Sequence, residues 1–246
     1  MIVFVHGVPE TAAIWDEVRA GLDGPTVALS LPGFGTPRPA GFGSTKDDYV
    51  GWLVGELEAI GEPVHLVGHD WGAGLVGRVA QAHGHLVASW AIDVANILHP
   101  DYVWHGIAQL WQDPVQGEAV MEAQAGTPVE DQAQGLTGLG LELDDARLLA
   151  GWSDAEMRTS ILALYRSAVP NAHATWGPLH PTDAPGLVLH VDGDPFNDVA
   201  LAGEVAKATG ADQATLEGAG HFWPLQAPAA GVDALRRFWS TLSHPG

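Results

Sequence analysis

Short apolar runs alternate with longer stretches of helical period along most of this chain. Ile2 to Val5, Thr26 to Leu29, Val64 to Val67, Val87 to Ile92, Leu187 to Val191 and Gln213 to Leu216 are the runs. Most are apolar at nearly every position, as strands buried on both faces of a parallel sheet must be. Helical period marks Trp15 to Ala20, Lys46 to Ile60, Ala73 to Ala82, Val199 to Thr209 and Ala229 to Leu242. Asp198, and Ser44 or Thr45, stand where two of these helices need an N-cap. Alternation of this kind predicts βαβ units and a mostly parallel sheet of about six strands, the α/β class. It breaks between Asn96 and Asp183. That stretch holds Trp104, Trp111, Trp152 and Trp176, several amphipathic pieces and no convincing strand. Residues 1–95 and 184–246 therefore read as the core, and 96–183 as a helical insertion over the sheet.

Bulk properties narrow the function. A chain of 246 residues suffices for one large α/β domain. No stretch nears the roughly 20 apolar residues of a membrane span. Met1 to Val5 is too short for a signal-peptide core, so the cytoplasm is the expected location. The absence of cysteine excludes disulfides, thiol catalysis and cysteine-bound zinc. With 10 basic against 30 acidic residues the formal charge is −20. Neither a nucleic acid nor an anionic membrane is an expected partner for such a surface.

The most informative segment is Gly68-His69-Asp70-Trp71-Gly72, between an apolar run and a helical stretch. Strand, Gly-x-nucleophile-x-Gly, helix is the nucleophile elbow of α/β-hydrolases. Its glycines permit a turn sharp enough to push the central residue out above the sheet edge. That residue is Asp70. A carboxylate has no proton to lose and can displace a leaving group at saturated carbon, leaving an alkyl ester on the protein. Epoxides and alkyl halides suit that chemistry.

The partners such an ester needs are present. His221, in Gly218-Ala219-Gly220-His221-Phe222 after the last strand, is placed to activate water. Asp194, past the preceding strand, is the expected acid holding its tautomer, with Asp192 and Asp93 as rivals. His6-Gly7-Val8-Pro9-Glu10 follows the first strand, and the N–H of Val8, paired with that of Trp71, is the expected oxyanion hole. His83 and His85 flank Gly84 without further ligands and read as a helix end rather than a metal site.

Together, HGVPE (His6 to Glu10), LPGFG (Leu31 to Gly35), GHDWG (Gly68 to Gly72), the Asp194 region and GAGHFWP (Gly218 to Pro224) resemble the α/β-hydrolase superfamily, in its epoxide hydrolase and haloalkane dehalogenase branch. The resemblance implies Asp70, Asp194 and His221 as nucleophile, acid and base, and 96–183 as a lid. Epoxide hydrolases carry lid tyrosines that hydrogen-bond the epoxide oxygen. Leu164-Tyr165-Arg166 is similar to the segment bearing one of them, so Tyr165 is the expected donor. Leu110 to Pro114 is similar to an aromatic-Gln-Glu-Pro stretch preceded by the other, but Ile107 stands in that tyrosine's place, leaving Tyr102, His105 or Trp104 as substitutes. Haloalkane dehalogenases instead hold halide between N–H donors, and Trp71 would be one. Fluoroacetate dehalogenases use arginines where this chain has Trp71 and Gly74, which disfavours an acid substrate. The family's usual N-terminal hairpin is missing from this sequence, which invites dimerisation through the uncovered sheet edge.

The sequence therefore predicts an enzyme turning a small apolar epoxide into a vicinal diol, with dehalogenation of an alkyl halide as the alternative. His6, Pro9, Trp104, Trp111 and Phe222 are expected around the substrate. The resemblance implies no metal or organic cofactor.

Overall fold

The computed structural model describes residues 1–242. Six strands, β1 (Ile2–Val5), β2 (Thr26–Leu29), β3 (Val64–Gly68), β4 (Val87–Ile92), β5 (Gly186–Val191) and β6 (Asp212–Leu216), make one sheet in the order β2-β1-β3-β4-β5-β6. Every pairing is parallel. This is the parallel α/β sheet of six strands that the apolar runs predict.

Alternate residues of each strand face opposite sides. Val3 and Val5 pack with Leu53 of α2 (Lys46–Ile60), Leu75 and Val79 of α3 (Trp71–Ala82), and Val205. Ile2 and Phe4 pack on the other side with Val18 of α1 (Asp16–Ala20), Trp223, Leu235 and Phe238. Both faces are covered, so both need apolar side chains, and full burial of each contributes roughly 1.5–3 kcal/mol. Of the two cap candidates, Thr45 begins α2. It closes a capping box with Asp48, while Ser44 lies in the left-handed region at φ 57°.

Between β4 and β5 run α4 (Gly106–Gln112), α5 (Gln116–Gly126), α6 (Val129–Leu136), α7 (Leu143–Trp152), α8 (Ala155–Arg166) and α9 (His173–Trp176). α4 packs on α5 and α8, and α6 on α7. Arg166 ties this layer together, pairing with Glu118 at 2.6 Å and donating to the Asp113 carbonyl at 3.2 Å. The chain then completes the sheet with α10 (Val199–Thr209), α11 (Trp223–Gln226) and α12 (Pro228–Leu242). Asp198 caps α10 as predicted, accepting from Ala200 and Leu201 N–H. No described helix is long and apolar enough to cross a membrane.

The chain leaves β1 toward β2 on one side, while β3 lies on the other. Parallel sheets open a crevice at such a switch point, beyond the carboxyl ends of the strands. The HGVPE and GHDWG loops meet there.

Candidate active site

Asp70 leaves β3 with φ 51° and ψ −120°, a conformation strained for any side chain. Its neighbours allow the chain nothing else. A Cβ on Gly68 would collide with the Gly72 carbonyl, and one on Gly72 with the carbonyls of Val5 and His6. Asp70 N–H is anchored to Asp93 Oδ1 at 3.0 Å. The Asp70 carboxylate caps no N–H of α3. Instead its Oδ1 accepts from Val8 N–H at 2.8 Å. Burial raises its pKa to about 6, although nearby His221 works the other way.

Three loops bring the predicted acid and base to this carboxylate. His221 Nδ1 lies 2.9 Å from Asp194 Oδ2, and its Nε2 faces Asp70 Oδ2 at 3.9 Å. Asp194 is itself held by the N–H of Phe196 at 2.8 Å. Burial disfavours a charged His221, but the hydrogen bond and charge of Asp194 outweigh it and raise its pKa. The rival acids are engaged elsewhere. Asp192 accepts Gly218 N–H at 2.7 Å, and Asp93 turns to His69 and Trp223.

Beneath the elbow lies a charged cluster whose assembly the sequence did not announce. His69, fully buried, sits between Glu10 Oε1 at 2.9 Å and Asp93 Oδ2 at 2.5 Å. Burial opposes the imidazolium, but Asp93 and Glu10 raise its pKa well above the ordinary value. Glu10 also accepts Gly7 N–H at 2.8 Å, and Asp93 accepts the Trp223 indole N–H. Hence the two loops that carry Val8 and Asp70 are joined through one buried cation. Ligand atoms of Glu10, His69 and His221 lie within 4.8 Å of one another, close enough for a metal. Both ring nitrogens of His69 are already engaged, Nε2 by Glu10 and Nδ1 by Asp93.

A cavity of about 340 Å³ opens above Asp70. Val8, Pro9, Trp111, Tyr165, His221 and Phe222, all predicted site residues, line it. Two others do not. His6 is fully buried and acts as a staple: its Nε2 accepts from Leu31 N–H at 3.0 Å and its Nδ1 donates to the Gly7 carbonyl. Burial lowers its pKa to about 4, so it stays neutral. Trp104 lies behind the cavity wall, stacked on the Trp71 ring at 5.2 Å, with its indole N–H on the Ala168 carbonyl. The Trp71 ring is also absent from the lining; its N–H makes only a loose approach to the Tyr165 hydroxyl.

Tyr165 is 2% exposed, and burial, reinforced by the Asp70 charge, keeps it a phenol. Of the substitutes for the second donor, Tyr102 lines a neighbouring cleft instead. His105 is on the cavity. Its Nδ1 accepts Ala108 N–H at 3.3 Å as the N-cap of α4, and burial lowers its pKa to about 4. A neutral ring whose Nδ1 accepts must carry its proton on Nε2. Phe196, Leu136 and Leu139 also line the cavity without having been predicted. Their signal is tertiary, because the lining positions of α6 and of the Asp194 loop are apolar residues like many others.

The profile of the α/β-hydrolase family matches residues 2–234, and the chain belongs to that family. It is a hydrolase. A haloalkane dehalogenase from Bradyrhizobium elkanii superposes with a TM-score of 0.76 at 21% identity, over 98% of this chain and 90% of that one. An epoxide hydrolase from Vigna radiata gives 0.78 at 20% identity, again over 98% and 90%. At such identity the likeness is one of fold. Epoxide hydrolase 2 of Siraitia grosvenorii is 39% identical over 80 residues, covering 29% of this chain and only 25% of that protein's length.

Proposed function

We propose that this hydrolase opens an apolar epoxide to a vicinal diol through an ester on Asp70. The observation that carries the proposal is that one cavity is lined by a carboxylate, Asp70, and by two residues with neutral proton donors, Tyr165 and His105. Asp70 Oδ2 attacks an epoxide carbon, the C–O bond breaks, and its electron pair stays on the oxygen, which the two donors stabilise. His221, with Asp194 on its other nitrogen, then takes a proton from water attacking Asp70 Cγ. Charge developing on Oδ1 falls on the N–H of Val8, which already faces it, with the N–H of Trp71 as the second donor of the hole. The segment 96–183 serves as the lid, and its apolar lining selects an apolar substrate.

Hydrolytic dehalogenation is the second reading. It is favoured by the Trp111 indole N–H, buried at the cavity without an acceptor. It is disfavoured by Trp71, whose ring the cavity does not reach. Purified protein offered aryl epoxides and terminal haloalkanes side by side separates the two. Diol without halide release is the expected result; halide without diol overturns it.

A further inference from the structure

Four polar side chains of the catalytic cavity, Asp70, His105, Tyr165 and His221, have a part in the proposed reaction. The amide of Gln124, on α5, has none. It lines the same cavity and is half-buried. Val120, one turn before it on the same face of α5, is apolar, as are the other lid residues on that cavity from α6 and its following turn, Leu136 and Leu139. A primary amide among such residues needs a reason.

A neighbour sets the orientation of that amide. Gln132 uses both hydrogens of its Nε2 on backbone carbonyls, that of Gln124 at 3.0 Å and that of Thr127 at 2.8 Å. Only its Oε1 remains to face the Gln124 side chain, whose Nε2 meets it at 3.4 Å and lies 3.5 Å from Ser153 Oγ. The Gln124 nitrogen is therefore engaged, and its Oε1 takes no hydrogen bond from any described residue. That oxygen keeps open surface, and the residue carrying it lines the cavity.

An apolar chain laid against an open amide oxygen strips its water and offers no bond in return, whereas a hydroxyl replaces the bond that is lost. An ammonium also donates, but its charge is costly to bury among apolar walls. The structure assigns Gln124 Oε1 as the acceptor for a hydroxyl that the substrate carries away from its reacting ring. Preferred substrates are then epoxides with one hydroxyl on an otherwise apolar body. The choice of substrate rests on the epoxide-opening reading; the acceptor itself rests on the fixed amide.

The test is steady-state turnover of matched pairs, 5,6-epoxyhexan-1-ol against 1,2-epoxyhexane and 7,8-epoxyoctan-1-ol against 1,2-epoxyoctane. Wild type, Gln124→Leu and Gln124→Glu are compared. Wild type should favour the hydroxylated member of at least one pair by about tenfold in kcat/KM, the effect of one hydrogen bond. Gln124→Leu should erase that preference, and Gln124→Glu, which keeps an acceptor, should retain it. A merely structural role would slow both members together and preserve their ratio. A ratio unchanged by leucine, or no preference in wild type, therefore overturns the proposal. If no epoxide is turned over, the functional reading falls and binding alone judges the acceptor. The ¹⁵N side-chain amide signal of Gln124 should then shift saturably with 1-hexanol and not with its isomer 1-methoxypentane, which has no donor. Equal response to both, or none, overturns the proposal as well.

Discussion

His221 Nε2 stands 3.9 Å from Asp70 Oδ2, beyond hydrogen-bond reach, while its Nδ1 is held by Asp194 at 2.9 Å. A base bonded to its own nucleophile would tie up the carboxylate that must attack carbon. Under the proposed mechanism the gap instead leaves His221 free to serve water in the second step. His221→Gln should therefore form the Asp70 ester and fail to clear it. Intact-protein mass spectrometry should show an adduct equal in mass to the substrate, and Asp70→Ala should show neither adduct nor turnover. Wild-type turnover with no adduct in the glutamine variant means water attacks the substrate directly.

The two steps should separate with pH. Ester formation needs Asp70 ionised, so its rate should rise through a pKa of about 6 and then level. Ester hydrolysis needs His221 neutral, and Asp194 holds its pKa above the ordinary histidine value. Both rates fall in acid, but hydrolysis falls first as pH drops. Rapid-quench measurement across the pH range should find ester accumulating on the wild-type protein at mildly acidic pH. Coincident pH profiles for both steps would remove this assignment.

Tyr165→Phe should slow epoxide opening by about 10²–10⁴-fold, the range for a lost general acid. His105→Leu should slow the same step by a smaller factor and leave hydrolysis of the preformed ester unchanged. Single-turnover kinetics separates these effects. A His105 variant impaired only in ester hydrolysis makes that residue a partner of His221 instead.

His69→Gln leaves Glu10 and Asp93 buried without their cation, a change that typically costs about 3–5 kcal/mol. The pH dependence has a fixed sign. His69 has a raised folded pKa, so its contribution is complete below its ordinary value of 6.5 and is lost as pH climbs through the folded value. Glu10 and Asp93 have lowered values, so theirs is complete above 4.5 and 3.8 and is lost as pH falls. Urea unfolding should show the gap between wild type and variant widest at about pH 5–6.5, narrowing toward alkali. A gap that widens above neutrality is incompatible with a buried imidazolium.

Gly72→Ala should prevent folding or cost several kcal/mol, because the new methyl meets the carbonyls of Val5 and His6. Gly84→Ala, a substitution into open space, is the control. Thermal melts decide it, and equal stabilities would mean that the elbow relaxes.

How much of this was legible in the sequence follows the range of each signal. All six strands are within one residue at their ends; in β1, β3, β4 and β5 burial on both faces leaves an apolar run that needs no tertiary knowledge to see, whereas β2 is half-buried and β6 mostly exposed. Asp70, Val8, His221 and Asp194 carry local signatures in glycines and in position after a strand. His6 and Trp104 were expected at substrate because their motif neighbours are there. Each is instead turned inward by hydrogen bonds, His6 between Leu31 N–H and the Gly7 carbonyl and Trp104 by the Ala168 carbonyl. Glu10, His69 and Asp93 come from three separate loops, and no spacing in the chain announces their meeting. His105 shows the same limit: only its bond to Ala108 N–H reveals which nitrogen bears the proton.

The hydrogen bond from Val8 makes the two oxygens of Asp70 unlike each other before any substrate arrives. Under the proposed mechanism Oδ2 departs with the product, while Oδ1 stays in its backbone cradle. The vacated place is refilled by the oxygen of water. The atom that leaves in each diol is thus one the protein acquired during the turnover before. In heavy-oxygen water the first product formed should carry no label and the second should, so the side chain has an isotopic memory one cycle deep.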